Sequence, residues 1–204
     1  MASRKYDQRL RAESAEATRR RILVALERRL RDAPTQPVSI DEVARRAGVA
    51  RSTVYLVFGS RAGLFDALAT ELWRRSGLHR LTVAVADPDA REHLRGGLRA
   101  GVAIFAAMRD VAAALFSMSA LDPDSVGGAI TRIEENRWGG MRHLAGRLAE
   151  QDVLRPGVTA EQAAEVLWVL ASFATFDALY TERGLPVQQV ADVLIAMAER
   201  TLCR

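Results

Sequence analysis

Apolar residues in the first eighty positions recur with the helical period in short blocks, and each block ends at a residue that stops a helix. Over residues 18–30, Ile22, Leu26 and Leu30 fall at i, i+4 and i+8, with Arg19, Arg20, Arg28 and Arg29 largely off that stripe. This predicts an amphipathic helix, which the two prolines of "APTQPVS" break. Next, Ile40, Val43, Ala44 and Ala47 follow i, i+3, i+4, i+7, so a helix over Ile40–Ala47 buries one face. Ser39 and Glu42 have the spacing of a capping box, Val38 and Val43 that of a hydrophobic staple, and Gly48 supplies the stop. Residues 51–58 have room for two turns, with Val54, Val57 and Phe58 inward and Arg51, Ser52, Thr53, Tyr55 and Leu56 outward. Gly59 and Ser60 end that helix, and Ser60 is placed to cap the next, which runs from Arg61 to about Arg75 on Leu64, Leu68 and Leu72. Two short helices across a Gly-containing turn, the second exposing hydroxyls, an arginine and a tyrosine, make a helix-turn-helix over about 39–58.

The rest of the chain reads as helix, with no period-two alternation, so the predicted fold class is all-α. Candidate helices span 90–108, 111–121, 125–151, 160–183 and 187–202, separated by "ADPD", "LDPD", "LRPG" and "RGLP". The pattern over 166–176 is apolar around nearly the whole helix, which must therefore be covered on several sides. With the stripe Val187, Val190, Leu194, Met197 and Leu202 it suits a four-helix bundle formed by two copies of the chain. A central helix of a monomeric bundle is the alternative.

Charge narrows the function. Residues 1–80 carry 17 basic against 9 acidic residues, a net of +8, while the remainder is net −4, giving the +4 of the 204-residue chain. A basic first third on an acidic remainder suits a polyanionic partner. The longest charge-free runs, 111–121 and 166–176, fall short of the roughly 20 apolar residues of a membrane span. The N-terminus is polar and charged, unlike a secretory leader, so a cytoplasmic location is expected. Cys203 stands alone and His79, His93 and His143 fit no metal spacing, so neither metal nor cofactor is expected. There is no Gly-rich phosphate loop, nucleophile elbow or zinc-binding helix motif, and no catalytic residue is assigned. A helical enzyme and a purely structural interaction protein remain as remote alternatives.

The stretch "SIDEVARRAGVARSTVYLVFGSRAGLF" resembles the TetR family of transcriptional regulators: an Ile-x-x-Val-Ala segment, an Ala-Gly-Val turn, a Tyr-x-x-Phe recognition helix, and a Ser-Lys-like start to the next helix. The resemblance implies a DNA-binding domain over 16–78 and a helical ligand-binding and dimerisation domain over 79–204. It implies a homodimer, joined through about 160–183 and 187–202, on a pseudo-palindromic double-stranded operator, acting as a repressor that a small apolar effector releases. A ligand-independent regulator or an activator is the alternative. By motif position, Arg51, Ser52 and Thr53 would meet base edges or nearby phosphates, Tyr55 and Arg61 phosphates, and Ser39 the backbone, with Ser60 adjoining. Three positions depart from the family pattern: Ala50 stands where a capping serine is usual, Val57 replaces a frequent histidine or tyrosine, and Ala62 a common glutamate.

Two further sets carry expectations. Arg4, Lys5, Arg9 and Arg11 lie in a polar segment expected to lack fixed structure, either a basic arm for DNA or an idle tail. Phe105, Met108, Trp138, Met141, Trp168, Ser172, Phe173 and Phe176 are candidates for lining an effector pocket, or simply for the core. Asn136, His143, Thr175 and Asp177 could add polar groups to such a pocket. The "GG" pairs at 127–128 and 139–140 are expected within helices, where they would suit a kink.

Overall fold

The structure, a computed structural model, describes the backbone of residues 2–126 and 128–204 and the side chains of residues 12–124, 126 and 128–204. In chain order its helices are α1 (Ala2–Asp32), α2 (Ile40–Ala47), α3 (Arg51–Phe58), α4 (Arg61–Arg75), α5 (Leu78–Val85), α6 (Ala90–Leu121), α7 (Ala129–Glu150), α8 (Ala160–Leu170), α9 (Phe173–Asp177) and α10 (Val187–Leu202). A 3-10 turn over Pro123–Val126 precedes α7, and a π-helical turn over Ala178–Glu182 prolongs α9. The helices form two compact units. One comprises the chain up to Thr70 together with Ala113–Ile130, the other Glu71–Ala112 together with Thr131–Arg204.

The first unit closes on the residues the periodicity marked: Ile22, Leu26 and Leu30 of α1, Ile40, Val43 and Ala47 of α2, Val54 of α3, and Leu64, Phe65 and Leu68 of α4 are all buried. Gly48 ends α2 at φ +66, where its amide reaches the Ala44 and Arg45 carbonyls, a left-handed conformation that suits glycine. The capping box does not form. Ser39 sits at the N-cap without a side-chain hydrogen bond, and the Glu42 carboxylate, the other half of the box, is taken by Arg29 (2.7 Å) and Arg46 (3.0 Å). Arg29, only 3% exposed, also donates to the carbonyls of Ala33 (2.8 Å) and Pro37 (3.0 Å). One guanidinium thus fixes α2 and the turn before it onto α1, and the hydrogen bond from Arg29, reinforced by Arg46, holds the Glu42 carboxyl below its ordinary range. A charge so buried is tolerable only because its donors are matched by acceptors.

α1 begins well before the expected Thr18, so helix replaces the expected structureless segment; the side chains of Arg4, Lys5, Arg9 and Arg11 lie outside the described ones. At the start of α4 the Ser60 hydroxyl accepts from the Gly63 amide (3.0 Å), the cap its position implied. A Cβ on Gly63 would overlap the Phe58 carbonyl oxygen, so glycine is what lets this turn close against the end of α3.

In the second unit, several predicted boundaries move. The segments 90–108 and 111–121 are one helix, α6, broken at Met108 (φ −126, ψ 17). Just beyond the break Arg109 makes two bonds to Asp177 (2.8 and 3.1 Å), and these hold the Asp177 carboxyl below its ordinary range. The single helix expected over 160–183 is interrupted after Leu170: the Ser172 hydroxyl accepts from the Thr175 amide (3.1 Å) while the Thr175 hydroxyl bonds the Val169 carbonyl (2.7 Å). Hydroxyl side chains offer the backbone an alternative to helical bonding, and here they take it. α7 begins only at Ala129, preceded by Gly128 at φ +71, while Gly127 lies outside the described residues. Gly139 and Gly140 do lie within α7, with open space around them. The eight residues of α5, of which only Ala84 is buried, were not anticipated.

α6 also corrects the expectation that no segment is apolar enough to span a membrane. An 18-residue window of it reaches a mean hydropathy of 1.5, enough by length and composition, which counting charge-free runs did not reveal. Leu94, Leu98, Ile104, Phe105 and Met108 are buried, as in the core helix of a globular unit.

Candidate functional site

α3 stands on a single fully buried residue, Val54, and the Arg19 guanidinium lies 5.6 Å over the Phe58 ring at its end. Ala50, extended at its N-cap, supplies no side-chain bond, so the first amides of α3 lack a capping partner. Arg51, Ser52, Tyr55 and Leu56 are exposed, Leu56 at 86%, while Thr53 is half-buried. The outward set is therefore organised around Arg51. Its Nη1 donates to Asp41 Oδ2 at 2.7 Å, its Nη2 to the Tyr55 hydroxyl at 3.4 Å, and its guanidinium lies 5.6 Å from the Tyr55 ring centre. The Tyr55 hydrogen bond and then the Asp41 charge push the Arg51 pKa further up. Asp41, in the first turn of α2, was not singled out from sequence; ten residues separate it from Arg51, and no local periodicity links them.

The remaining members of the expected contact set are placed differently. Ser39 and Ser60 are exposed, with the Ser60 hydroxyl engaged as a cap. Arg61 is half-buried, donating to the Val38 carbonyl at 2.6 Å and lying 5.4 Å over Phe65, so it ties the start of α4 to the entrance of α2. A basic cleft of about 570 Å³ between α1 and α2, rimmed by Arg20, Arg21, Arg28 and Arg46 over Val24 and Ala25, also went unpredicted. Its only sequence signal was the arginines lying off the apolar stripe of residues 18–30.

The second unit holds a small cavity of about 20 Å³. Gly97, Leu98, Gly101, Val102 and Phe105 of α6 line it, with Leu170, Ala171, Ser172, Phe176 and Leu194 opposite. Of the expected pocket residues, Phe105, Ser172 and Phe176 line it, Phe173 packs edge-on against Phe105 at 5.4 Å, and Met108 is buried at the break in α6. Trp138 and Trp168 instead pair with each other at 6.5 Å, with Arg137 4.7 Å over Trp168, and Met141 is half-buried on α7. Trp73, at the end of α4, lies edge-on to Phe105 at 6.2 Å, and its buried Nε1–H has no acceptor among the described residues. Asn136 and His143 are exposed, while Thr175 and Asp177 are committed to the bonds that shape α9. The glycines at 97 and 101, one helical turn apart, are among the lining residues that the sequence did not mark for the pocket, with Leu98, Val102, Leu170, Ala171 and Leu194.

The family model for "Bacterial regulatory proteins, tetR family" matches residues 22–68, from the buried Ile22 of α1 to the buried Leu68 of α4. Over that span the chain is similar to the TetR family. The whole chain also has the fold of solved TetR-type regulators. NalD, the secondary repressor of the MexAB-OprM multidrug efflux pump in Pseudomonas aeruginosa, superposes with a TM-score of 0.73 at 24% identity over 94% of this chain and 98% of that one. A TetR-like transcriptional regulator from Rhodococcus sp. RHA1 gives 0.66 at 23% identity, over 90% and 94%. SmeT, the repressor of the Stenotrophomonas maltophilia multidrug efflux pump SmeDEF, gives 0.70 in its triclosan complex at 16% identity, over 92% of each chain. No curated protein matches in sequence. Within that span, Ala50 gives α3 no side-chain cap and Val57 is half-buried.

Proposed function

We propose that the chain is a homodimeric, sequence-specific DNA-binding transcriptional regulator, a repressor whose operator is released when a small apolar effector enters the second unit. The observation that carries this reading is α3, a two-turn helix seated on Val54 that holds Arg51, Ser52, Tyr55 and Leu56 toward solvent in the basic part of the chain. In a helix-turn-helix the first residues of the second helix reach base edges in the major groove. Residues 16–78 would bind DNA and 79–204 would carry dimerisation and the effector. For the dimer, Trp168 (40% exposed), Val169 (55%) and Met197 (48%) leave apolar surface on α8 and α10 for a second copy to cover. Two α3 helices then reach successive major grooves about 34 Å apart, and a change in their separation changes affinity.

α4 supplies the route between effector and DNA. At one end of this continuous helix Trp73 meets Phe105 of the cavity lining, and at the other Arg61 holds the Val38 carbonyl. A ligand that displaces Phe105 would shift α4 and, with it, the seat of the reading helix. By linkage, effector and operator weaken each other equally. The cavity volume favours a second reading as well. About 20 Å³ has room for about one water molecule, which needs ~10–15 Å³ on this measure, so an apolar ligand must open the site, or the regulator works without one.

Selection and sequencing of bound fragments from a random DNA pool tests the main reading. A two-fold symmetric motif with half-sites about one helical turn apart is expected, and absence of any enriched sequence refutes it. Screening apolar compounds for those that both raise the melting temperature and release the selected DNA separates the effector reading from the ligand-free one.

A further inference from the structure

We propose that Asp41 is a positioning residue for sequence readout: it fixes the Arg51 guanidinium so that Arg51 reads a guanine, and thereby sets the base preference at one position of each half-site. This rests on the DNA-binding reading above. Arg51 opens α3, where a recognition helix meets base edges. A free arginine side chain samples many rotamers, and ordering it on DNA opposes binding. Here it is already ordered: Asp41 Oδ2 accepts from Nη1 on one side, the Tyr55 hydroxyl accepts from Nη2, and the Tyr55 ring lies against the guanidinium. The guanidinium has five N–H groups. Two are engaged, three are left, and a bidentate bond to guanine O6 and N7 needs two.

Asp41 lies in the first turn of α2, where a carboxylate also suits the helix dipole. Asp41 and Arg51 are 63% and 57% exposed, so in the free protein their ion pair is solvated and contributes little to folding. Yet it places a negative charge beside a surface that must approach phosphates, which weakens nonspecific attraction. A carboxylate that costs general affinity and orders one base-reading side chain trades affinity for discrimination. Once the groove excludes water, the same pair is screened less and holds the guanidinium more firmly.

The test repeats the DNA selection with the full-length protein and its Asp41→Ala, Asp41→Glu, Arg51→Lys and Asp41→Ala/Arg51→Lys variants, adding affinities for the selected site and for random DNA. The wild type should favour guanine at one symmetry-related pair of positions. Asp41→Ala should lose about tenfold discrimination there, keep its preferences elsewhere, and bind random DNA more tightly. Arg51→Lys, which keeps the charge but not the fork, should lose the same position, with no further loss in the double variant. Asp41→Glu should restore part of the preference. An unchanged motif in Asp41→Ala, or a loss spread evenly over all positions, overturns the assignment. If the wild type enriches nothing, the DNA-binding reading falls and takes this inference with it; if the wild type selects a motif that Asp41→Ala shares, only the inference falls.

Discussion

Acidifying the protein from pH 7 to pH 5 should charge His93 only when the second unit unfolds. His93 is 4% exposed, and its Nδ1 lies 3.1 Å from Arg147 Nη1. Arginine can only donate, so Nδ1 must accept, and the neutral ring carries its proton on Nε2. The same guanidinium donates to the carbonyls of Val85 (3.2 Å), Asp87 (2.6 Å) and Pro88 (2.8 Å), tying α7 to the turn before α6. Burial first, then the neighbouring Arg147 and His143, lower the His93 pKa from 6.5 to about 4, against a smaller opposing pull from Asp87. Between those values the unfolded chain binds a proton that the folded chain refuses. Stability is therefore present above pH 6.5 and is lost as pH falls toward 4. The complete loss is about 3 kcal/mol, of which about 2 kcal/mol falls between pH 7 and pH 5. Urea unfolding at both pH values, on the wild type and on His93→Gln, measures this. Glutamine can still accept from Arg147 but does not titrate, so the wild type should lose about 2 kcal/mol more than the variant over that interval. Equal losses would show that His93 is not held neutral by its surroundings.

Three more outcomes follow from the packing. Arg29→Met should destabilise the first unit by about 3 kcal/mol, because the Ala33 and Pro37 carbonyls lose their donor, and Arg29→Lys should recover little of it for want of a fork; thermal melts followed by circular dichroism read both. Gly101→Ala, inside α6 with open space at its Cβ, should stabilise by up to about 1 kcal/mol, whereas Gly63→Ala should destabilise through its overlap with the Phe58 carbonyl; opposite shifts in urea midpoint are the signature. Ala50→Ser should add the missing cap of α3, worth about 1 kcal/mol, and tighten DNA binding if α3 is partly frayed in the free protein; a gain in stability without a gain in affinity would show that α3 is already fully ordered.

Much of the first unit could be read from sequence because its signals are local. Ile40–Ala47, Arg51–Phe58 and Arg61–Arg75 each bury residues at helical spacing and stop at a glycine or serine, and the helices form over those spans. The capping box failed for a reason no local pattern contains: Arg29, thirteen residues before Glu42, competes for its carboxylate and wins because its own burial requires a counter-charge. Asp41 escaped notice in the same way, since its partner lies beyond the Gly48 turn. In the second unit the apolar run 166–176 suggested one helix covered on several sides, but Trp168 and Val169 are exposed, and the run conceals Ser172 and Thr175, whose hydroxyls break it. Composition said apolar, and two hydrogen bonds decided the geometry. The cavity lies beside Phe105 and Phe176 and away from Trp138 and Trp168, which were equally expected to line it, because large side chains advertise volume rather than emptiness; the glycines at 97 and 101 mark the space itself.

These particulars bear on how such a protein could be switched. α3 is eight residues long, buries one side chain completely and has no N-terminal cap, so little of its order is its own. An isolated helix of that length is unstable in water, and its persistence here must come from neighbours: besides the burial of Val54, the Arg19 guanidinium over Phe58 and the close approach of Gly63. One of those contacts comes from α1, and the other is the first turn of α4. A displacement of α4 therefore does not need to swing a rigid domain to impair recognition. Withdrawing the Gly63 turn from the end of α3 would remove one of few contacts from a helix with no reserve, and the fork on Arg51 would lose its fixed seat with it. A helix with so little intrinsic stability is sensitive to small movements of its supports, which is what the proposed regulator would require if a small ligand drives it.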